Sequence, residues 1–396
     1  MRVSTLGFQD NASQQMQTLE SEISQTQQEL STGIALQSAS DNPAAMAQVN
    51  QLNVQISASQ QYQTNGSALN SNLTLEEQSL SDATNVMQSA RDLAVEANNA
   101  ALTPSQRQDI STQLQQLLTQ LVSTANSTDA NGNYMFAGEA STTQPFAQSG
   151  SSVAYNGSSS VSQVQISPNQ RVSSSDAGSN VFMNIPAGNG TFTTAVGASN
   201  TGTATIDAGT VTNAAQWVPP DTYTITFSDP TDYTVTNSAG ATVTTGTFTS
   251  PGSIAFNGIS TTVTGTPAAG DTFTVAPAGT SSAFNTLSAL ITTLNNPNLS
   301  SAQISTQVGT ALEQIDAAVN NFGEVSASVG ARINAITAAN TTAQSQQTTM
   351  TASVTKLQGT DYTAATTQLS TEELALQAAQ ESYASIAKLS LFNYLQ

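Results

Sequence analysis

The chain has 396 residues, a length that predicts two to three domains, and only 8% of them are charged against roughly 25% in a typical soluble protein. The net charge is −19, and the seven basic residues (Arg2, Arg91, Arg107, Arg171, Arg332, Lys356 and Lys388) are scattered, which excludes the Lys/Arg clusters that nucleic-acid binding or docking on an anionic membrane requires. Neither Cys nor His occurs, so disulfides and every thiol or imidazole nucleophile, base or metal ligand are excluded as well.

The N-terminus, MRVSTLGFQDNASQQ, has no apolar core of signal-peptide type, and no run approaches the ~18 apolar residues of a membrane span. A first helix is expected over residues 4–36. Met16, Leu19, Ile23 and Leu30 fall on a and d positions of one heptad frame, with Thr26 a weak member. In Ser40-Asp41-Asn42-Pro43, Asn42 can cap a second helix and Pro43 suits its first position. Leu52, Tyr62, Leu69, Leu73, Leu80, Ala83, Met87, Ala90, Ala94 and Ala97 keep a 3.5-residue frame along it. Thr103-Pro104-Ser105-Gln106 reads as a capping box. The third helix it opens carries Ile110, Leu114, Leu117, Leu118, Leu121, Val122 and Ala125 as its stripe. Asn131-Gly132 predicts a hairpin turn into Tyr134-Met135-Phe136.

Composition shifts near Ser141 to Thr, Val, Gly, Ser and Pro. Tyr223-Thr-Ile225-Thr-Phe227, Tyr233-Thr-Val235-Thr and Thr272-Phe273-Thr-Val275 alternate as half-buried strands do. An antiparallel β-domain is expected, with a division into two small units near residues 216–220 as one option. Helical signals return at Phe284. Val308, Ile315, Phe322, Val329 and Ile336 recur every seven residues, with Leu312, Val319 and Ile333 beside them. The last helix holds Tyr362, Ala365, Leu369, Leu376, Ala379, Tyr383 and Ile386 in frame, interrupted by Glu372. It runs into Leu389-Ser390-Leu391-Phe392-Asn393-Tyr394-Leu395.

Helices at both ends of the chain enclose a β-region, so the ends are expected to pair. The predicted fold is α+β and multidomain: the N- and C-terminal helices pair into an α-helical bundle or coiled-coil rod, and an antiparallel β-domain is inserted. The expected parts are a terminal helical polymerisation domain (1–45 plus 355–396), a helical rod domain (46–140 plus 284–354) and a β-rich outer domain (141–283). An apolar stripe is most often an intramolecular core. That reading is taken for the rod: Leu69, Leu73, Leu80, Met87, Leu114, Leu121, Val308, Ile315, Phe322, Val329 and Ile336. The terminal helices are Gln- and Ser-rich, marginal in apolar content and poor in charged pairs, so association between subunits explains them better. Met16, Leu19, Ile23, Leu30, Leu369, Leu376, Tyr383, Ile386, Leu389, Leu391, Phe392 and Leu395 are the predicted interface.

No constellation for chemistry stands out. Glu76-Glu77 and Glu372-Glu373 are adjacent helical residues that do not share a face, and both pairs are read as solvated, although Glu76 and Glu372 also fall on seam positions. Asp129-Ala130-Asn131-Gly132-Asn133 lacks the ligand spacing of a calcium loop. Gly188-Asn189-Gly190 lacks the Lys and the following helix of a phosphate loop. No catalytic, metal or cofactor residues are assigned, and the function is read as non-enzymatic.

Several segments together resemble a known family. Met1-Arg2-Val3-Ser4-Thr5, Glu29-Leu30-Ser31-Thr32-Gly33 and Ser40-Asp41-Asn42-Pro43-Ala44-Ala45 are similar to the N-terminal region of the flagellin superfamily. Asn131-Gly132-Asn133-Tyr134-Met135-Phe136-Ala137-Gly138, Val329-Gly330-Ala331-Arg332-Ile333-Asn334 and Leu389-Ser390-Leu391-Phe392-Asn393-Tyr394-Leu395 resemble the hook-associated protein 3 family within it. The resemblance covers roughly residues 1–140 and 284–396. It implies an extracellular structural subunit of the bacterial flagellum, exported by the flagellar type III system without a cleaved signal. Such a subunit joins the hook, by way of hook-associated protein 1, to the flagellin filament. Its implied partners are hook-associated protein 1, flagellin, further copies of itself in a ring, and an export chaperone before secretion, with no nucleic acid and no membrane. Two alternatives are a flagellin-type filament subunit and, from another class, a surface adhesin or glycan-binding module built on the β-domain.

Overall fold

The computed structural model describes residues 2–217 and 219–392, with the side chains of residues 7, 9–217 and 219–385. Among the described residues six α-helices flank the central region: α1 (Arg2–Thr32), α2 (Pro43–Ala97), α3 (Pro104–Ala125), α4 (Ala283–Asn295), α5 (Ser301–Gln358) and α6 (Tyr362–Phe392). Their starts follow from local chemistry. Asn42 Oδ1 accepts the Ala45 N–H at 3.1 Å, with Pro43 in the first turn of α2. Thr103 and Gln106 form the expected reciprocal capping box of α3. Ser300 and Gln303 form a second such box before α5, with bonds of 3.2 and 2.9 Å. Ser282 caps α4, and Asp361 accepts the N–H groups of Thr363 and Ala364 ahead of α6.

Helix α1 ends at Thr32, short of the expected residue 36. Gly33 takes φ +72° and its N–H closes on the Glu29 carbonyl at 2.8 Å, a left-handed stop that glycine adopts without a Cβ penalty. The turn at Asn131-Gly132 also differs from expectation. Instead of a strand ladder, Asp129 accepts the backbone N–H groups of Asn131 and Asn133, and a single bridge joins Thr128 to Tyr134. The aspartate supplies the turn's hydrogen bonds itself, so no ladder is needed.

Among the described residues fifteen strands lie between α3 and α4. The first five are β1 (Phe146–Ser149), β2 (Ser152–Tyr155), β3 (Gln163–Ser167), β4 (Gln170–Ser173) and β5 (Ile185–Pro186), with a π-helical turn at Ser179–Met183 before β5. Next come β6 (Phe192–Val196), β7 (Thr205–Ile206), β8 (Thr210–Val211), β9 (Tyr223–Phe227) and β10 (Asp232–Thr236). The last are β11 (Thr242–Thr247), β12 (Gly252–Phe256), β13 (Ile259–Thr264), β14 (Thr272–Pro277) and β15 (Thr280–Ser281). All pairings are antiparallel. One sheet has the order β11-β10-β9-β14-β6 and a second β12-β13-β7, with β8 also on β13. Strands β1–β2, β3–β4 and β5–β15 form separate two-stranded pairs.

The alternation read in the sequence is the burial pattern of β9, where Tyr223, Ile225 and Phe227 point into the core and Thr224 and Thr226 do not. Both large sheets share one apolar core. Phe192, Ala204 and Ile206 precede residues 216–220, while Ile225, Phe256 and Phe273 follow them. There is accordingly no division near residues 216–220, and Trp217 in that segment packs on the shared core against Phe192 and Tyr223.

Contacts divide the chain into two compact units, Met1–Thr64 with Ala339–Gln396, and Asn65–Ala338, and α2 and α5 contribute to both.

Candidate subunit interface

In the first unit α1 and α6 pack side by side. The pair is closed at one end by the segments next to it. Ile34 bridges Gly359, Ala35 N–H donates to the Gln358 carbonyl at 2.7 Å, and Thr360 N–H donates to the Gly33 carbonyl at 3.1 Å. Along the seam Met16, Leu19, Ile23 and Leu30 of α1, and Leu369, Leu376 and Tyr383 of α6, are half-buried. Two helices alone cover only one side of each such residue. Val54, Tyr362 and Leu374 add apolar surface open to solvent, at 70%, 57% and 67% exposure. The predicted interface residues Ile386, Leu389, Leu391, Phe392 and Leu395 lie outside the described residues as far as their side chains are concerned.

Polar residues occupy the middle of this seam. Thr26 Oγ1 donates to Glu372 Oε2 at 3.0 Å, and Gln368 Nε2 donates to Glu372 Oε1 at 2.8 Å. Both Thr26 and Glu372 are buried. The weak member of one frame thus faces the interruption of the other. This corrects the solvated reading for Glu372; Glu373, one residue on, is exposed.

In the second unit Leu69, Leu73, Leu80, Met87, Leu114, Leu121, Val308, Ile315, Phe322, Val329 and Ile336 are all buried. An aromatic cluster ties the helices to the base of the β-region. Phe182 contacts Phe136, Phe146, Phe284 and Phe322 with ring centroids 5.1–5.7 Å apart. Edge-on and stacked rings at this spacing add attraction beyond their buried area.

The solvated reading also fails for Glu76 and Glu77. Glu76 is 1% exposed, and its Oε1 accepts the Asp176 N–H at 2.9 Å. Glu77 turns the other way, as an adjacent helical residue must, and accepts the Ser326 hydroxyl at 2.5 Å. Burial, and then the neighbouring Asp176 carboxylate, push the Glu76 carboxyl up to about 8, with Arg332 opposing. Glu313 on α5 is raised to about 7, first by burial and then by Asp207. The signal for Glu76 in the sequence was its place in the heptad frame, which outweighs residue type where the two conflict. Among the described residues no group of three or more Asp or Glu is placed to hold a metal ion, and no helix is long and apolar enough to cross a membrane.

Comparison with known proteins adds to this geometry. Residues 3–141 match the bacterial flagellin N-terminal helical region, residues 312–395 the flagellin C-terminal helical region, and residues 195–277 a D2-like domain of flagellar hook-associated protein 1. Flagellar hook-associated protein 3 of Salmonella typhimurium is 32% identical over 148 residues, 37% of this chain. The chain spans about half, 47%, of the length of that curated relative. The crystal structure of hook-associated protein 3 from Legionella pneumophila is 34% identical, with 78% of this chain and 98% of that chain covered at a TM-score of 0.74. The chain belongs to the flagellar hook-associated protein 3 family. The Legionella structure described as the flagellar junction protein FlgL agrees, at 34% identity, 78% and 99% coverage and a TM-score of 0.71.

The segments that resemble the hook-associated protein 3 family have local tasks here. Gly138 takes φ +61°, and a Cβ there would collide with the carbonyl oxygens of Ser158 and Ser160. Phe136 enters the aromatic cluster. Arg332 forms an ion pair with Asp176 and donates to the Ser173 and Ser175 carbonyls. Trp217, the single Trp, is partly buried against the core that the two large sheets share.

Proposed function

We propose that this chain is a non-enzymatic structural subunit of the bacterial flagellum that joins the hook, by way of hook-associated protein 1, to the flagellin filament. The observation that carries the reading is the likeness, over 78% of this chain and 99% of the other, to a protein described as the flagellar junction protein. The α1–α6 pair supports it physically. A seam whose apolar residues stay half-buried gains by packing against further helices, at roughly 25 cal/mol per Å² of apolar surface covered. Met16, Leu19, Ile23, Leu30, Leu369, Leu376 and Tyr383 are the contacts proposed with neighbouring copies in a ring, with hook-associated protein 1 on one side and flagellin on the other. Leu389, Leu391, Phe392 and Leu395 are assigned to the same interface from the sequence. In this reading residues 1–45 and 355–396 polymerise, 46–140 and 284–354 form the helical support, and 141–283 face outward. The subunit is extracellular, reaches the flagellum through the type III export route without a cleaved signal, and is held by an export chaperone beforehand.

Electron microscopy of a strain lacking the chain tests this. Hooks that carry hook-associated protein 1 but no filament, with filaments restored by the intact chain, are expected. Normal filaments in the deletion strain overturn the reading.

A further inference from the structure

Residues 173–178 form a strap that leads from β4 to the π-helical turn bearing Phe182. Three fastenings hold it. Its Asp176 N–H donates to Glu76 Oε1 on α2 at 2.9 Å. Its Asp176 carboxylate pairs with Arg332 on α5, whose guanidinium also donates to the carbonyls of Ser173 and Ser175 at 3.3 and 3.4 Å. Its Gly178 N–H donates to the Phe136 carbonyl at 2.9 Å. The fastening on α2 is anomalous. Glu76 is 1% exposed, and its Oε2 has no hydrogen-bond partner. An ionised carboxylate there would be buried with one oxygen unsatisfied, a costly arrangement.

Among the groups around Glu76, one carboxylate adds to that cost and one cation opposes it. From the strap comes the Asp176 carboxylate. Asp129 and Glu139, with Tyr134, line the same cleft of about 380 Å³ from the loop after α3. Arg332 on α5 is the cation that acts on it, and Arg332 is already paired with Asp176. On α2 itself, Glu77 points away to Ser326.

We propose that the strap is a proton-dependent clasp: Glu76 holds it closed as a neutral carboxylic acid, and loss of that proton loosens the strap from α2. Oε1 keeps the Asp176 amide, and Oε2 carries the proton. Burial and the Asp176 carboxylate raise the Glu76 pKa to about 8, in the direction the geometry demands. When the strap opens, Glu76 meets water and returns to an ordinary carboxyl. An acid raised by folding contributes stability that is fully present below the ordinary carboxyl range and is lost as pH climbs to the raised value. The clasp is therefore tightest in acid, weakens through neutrality and levels off near pH 8.

Hydrogen exchange of the full-length chain, followed by mass spectrometry on peptides covering 173–178, tests this between pH 5 and 9.5. After correction for intrinsic exchange, opening of the wild-type strap should rise by up to about tenfold per pH unit until about pH 8 and then level off. In Glu76→Gln, which keeps the acceptor and replaces the protonated oxygen with a neutral amide, opening should stay flat. In Asp176→Asn, which keeps the backbone N–H and removes the carboxylate beside Glu76, levelling should move to lower pH. A wild-type strap with no pH dependence overturns the proposal whatever the variants do, and so does a dependence that persists unchanged in Glu76→Gln.

Discussion

Gly138 shows how a single missing carbon fixes a joint. Its positive φ, the carbonyls of Ser158 and Ser160 where a Cβ would go, and the Ser158 N–H bonded to the Ala137 carbonyl leave no room for a side chain. Gly138→Ala should destabilise the chain by at least about 2 kcal/mol, through backbone strain together with displacement of residues 158–160. Calorimetry should show a lowered melting transition, while Gly150→Ala, at a glycine of similar φ with nothing within 4 Å, should cost less. Little of this was legible beforehand. The glycine stands out in the sequence, but the residues that forbid a Cβ lie about twenty positions on, and nothing local points to them. Glu76 is the opposite case. Residue type argued for solvent and heptad position argued for the interior, and position prevailed because its neighbours Leu73, Leu80 and Ala83 are buried along the same face.

At the level of helices and strands, periodicity and capping chemistry placed the starts of α1 to α4 to within a residue or two, because caps are local, but the break between α4 and α5 and the Ser300–Gln303 box that opens α5 were not read. Tertiary pairing was legible only in outline. That α1 meets α6 follows from their matching frames; that Thr26 meets Glu372 in the middle of the seam depends on register, which apolar frames alone leave free to slip by a heptad. A polar pair inside such a seam fixes register at some cost in stability. Thr26→Val should leave Glu372 Oε2 without its donor and weaken the α1–α6 pair by about 1–3 kcal/mol. Hydrogen exchange should register this as faster exchange in both helices. The further change Glu372→Leu should recover or exceed the original protection, because it removes the buried polar group altogether. Protection that is unchanged in Thr26→Val would show that the pair contributes nothing. The β-region was legible where strands alternate strictly, as in β9, β10 and β14. The short strands β5, β7, β8 and β15 are two residues each and carry no periodicity to read.

Within the unit Asn65–Ala338, composition is a poor guide to where the helical support gives way to the β-region. Composition changes near Ser141, yet Phe146 and Phe182 beyond that point belong to the aromatic cluster with Phe136, Phe284 and Phe322. Excising 141–283 would strip two rings from that cluster, at several kcal/mol for each large aromatic lost. Excising only 188–278 leaves it whole. Pro186 pairs with Thr280 and Ile185 with Ser281, so the two crossings of the chain run side by side, and a short Asn-Gly turn can close them as a hairpin. The shorter excision should yield a protein whose helical signal and melting cooperativity are retained, and the longer one a protein that has lost both. Equal behaviour of the two would remove the aromatic cluster as the anchor. That two-residue pairing has a wider consequence. Antiparallel neighbours stand only about 5 Å apart at their Cα atoms, so β5 and β15 act as a socket of fixed width. Any folded cargo whose own termini lie that close, whether a different sandwich, an enzyme or a fluorescent reporter, can be plugged in there without asking the helices to move.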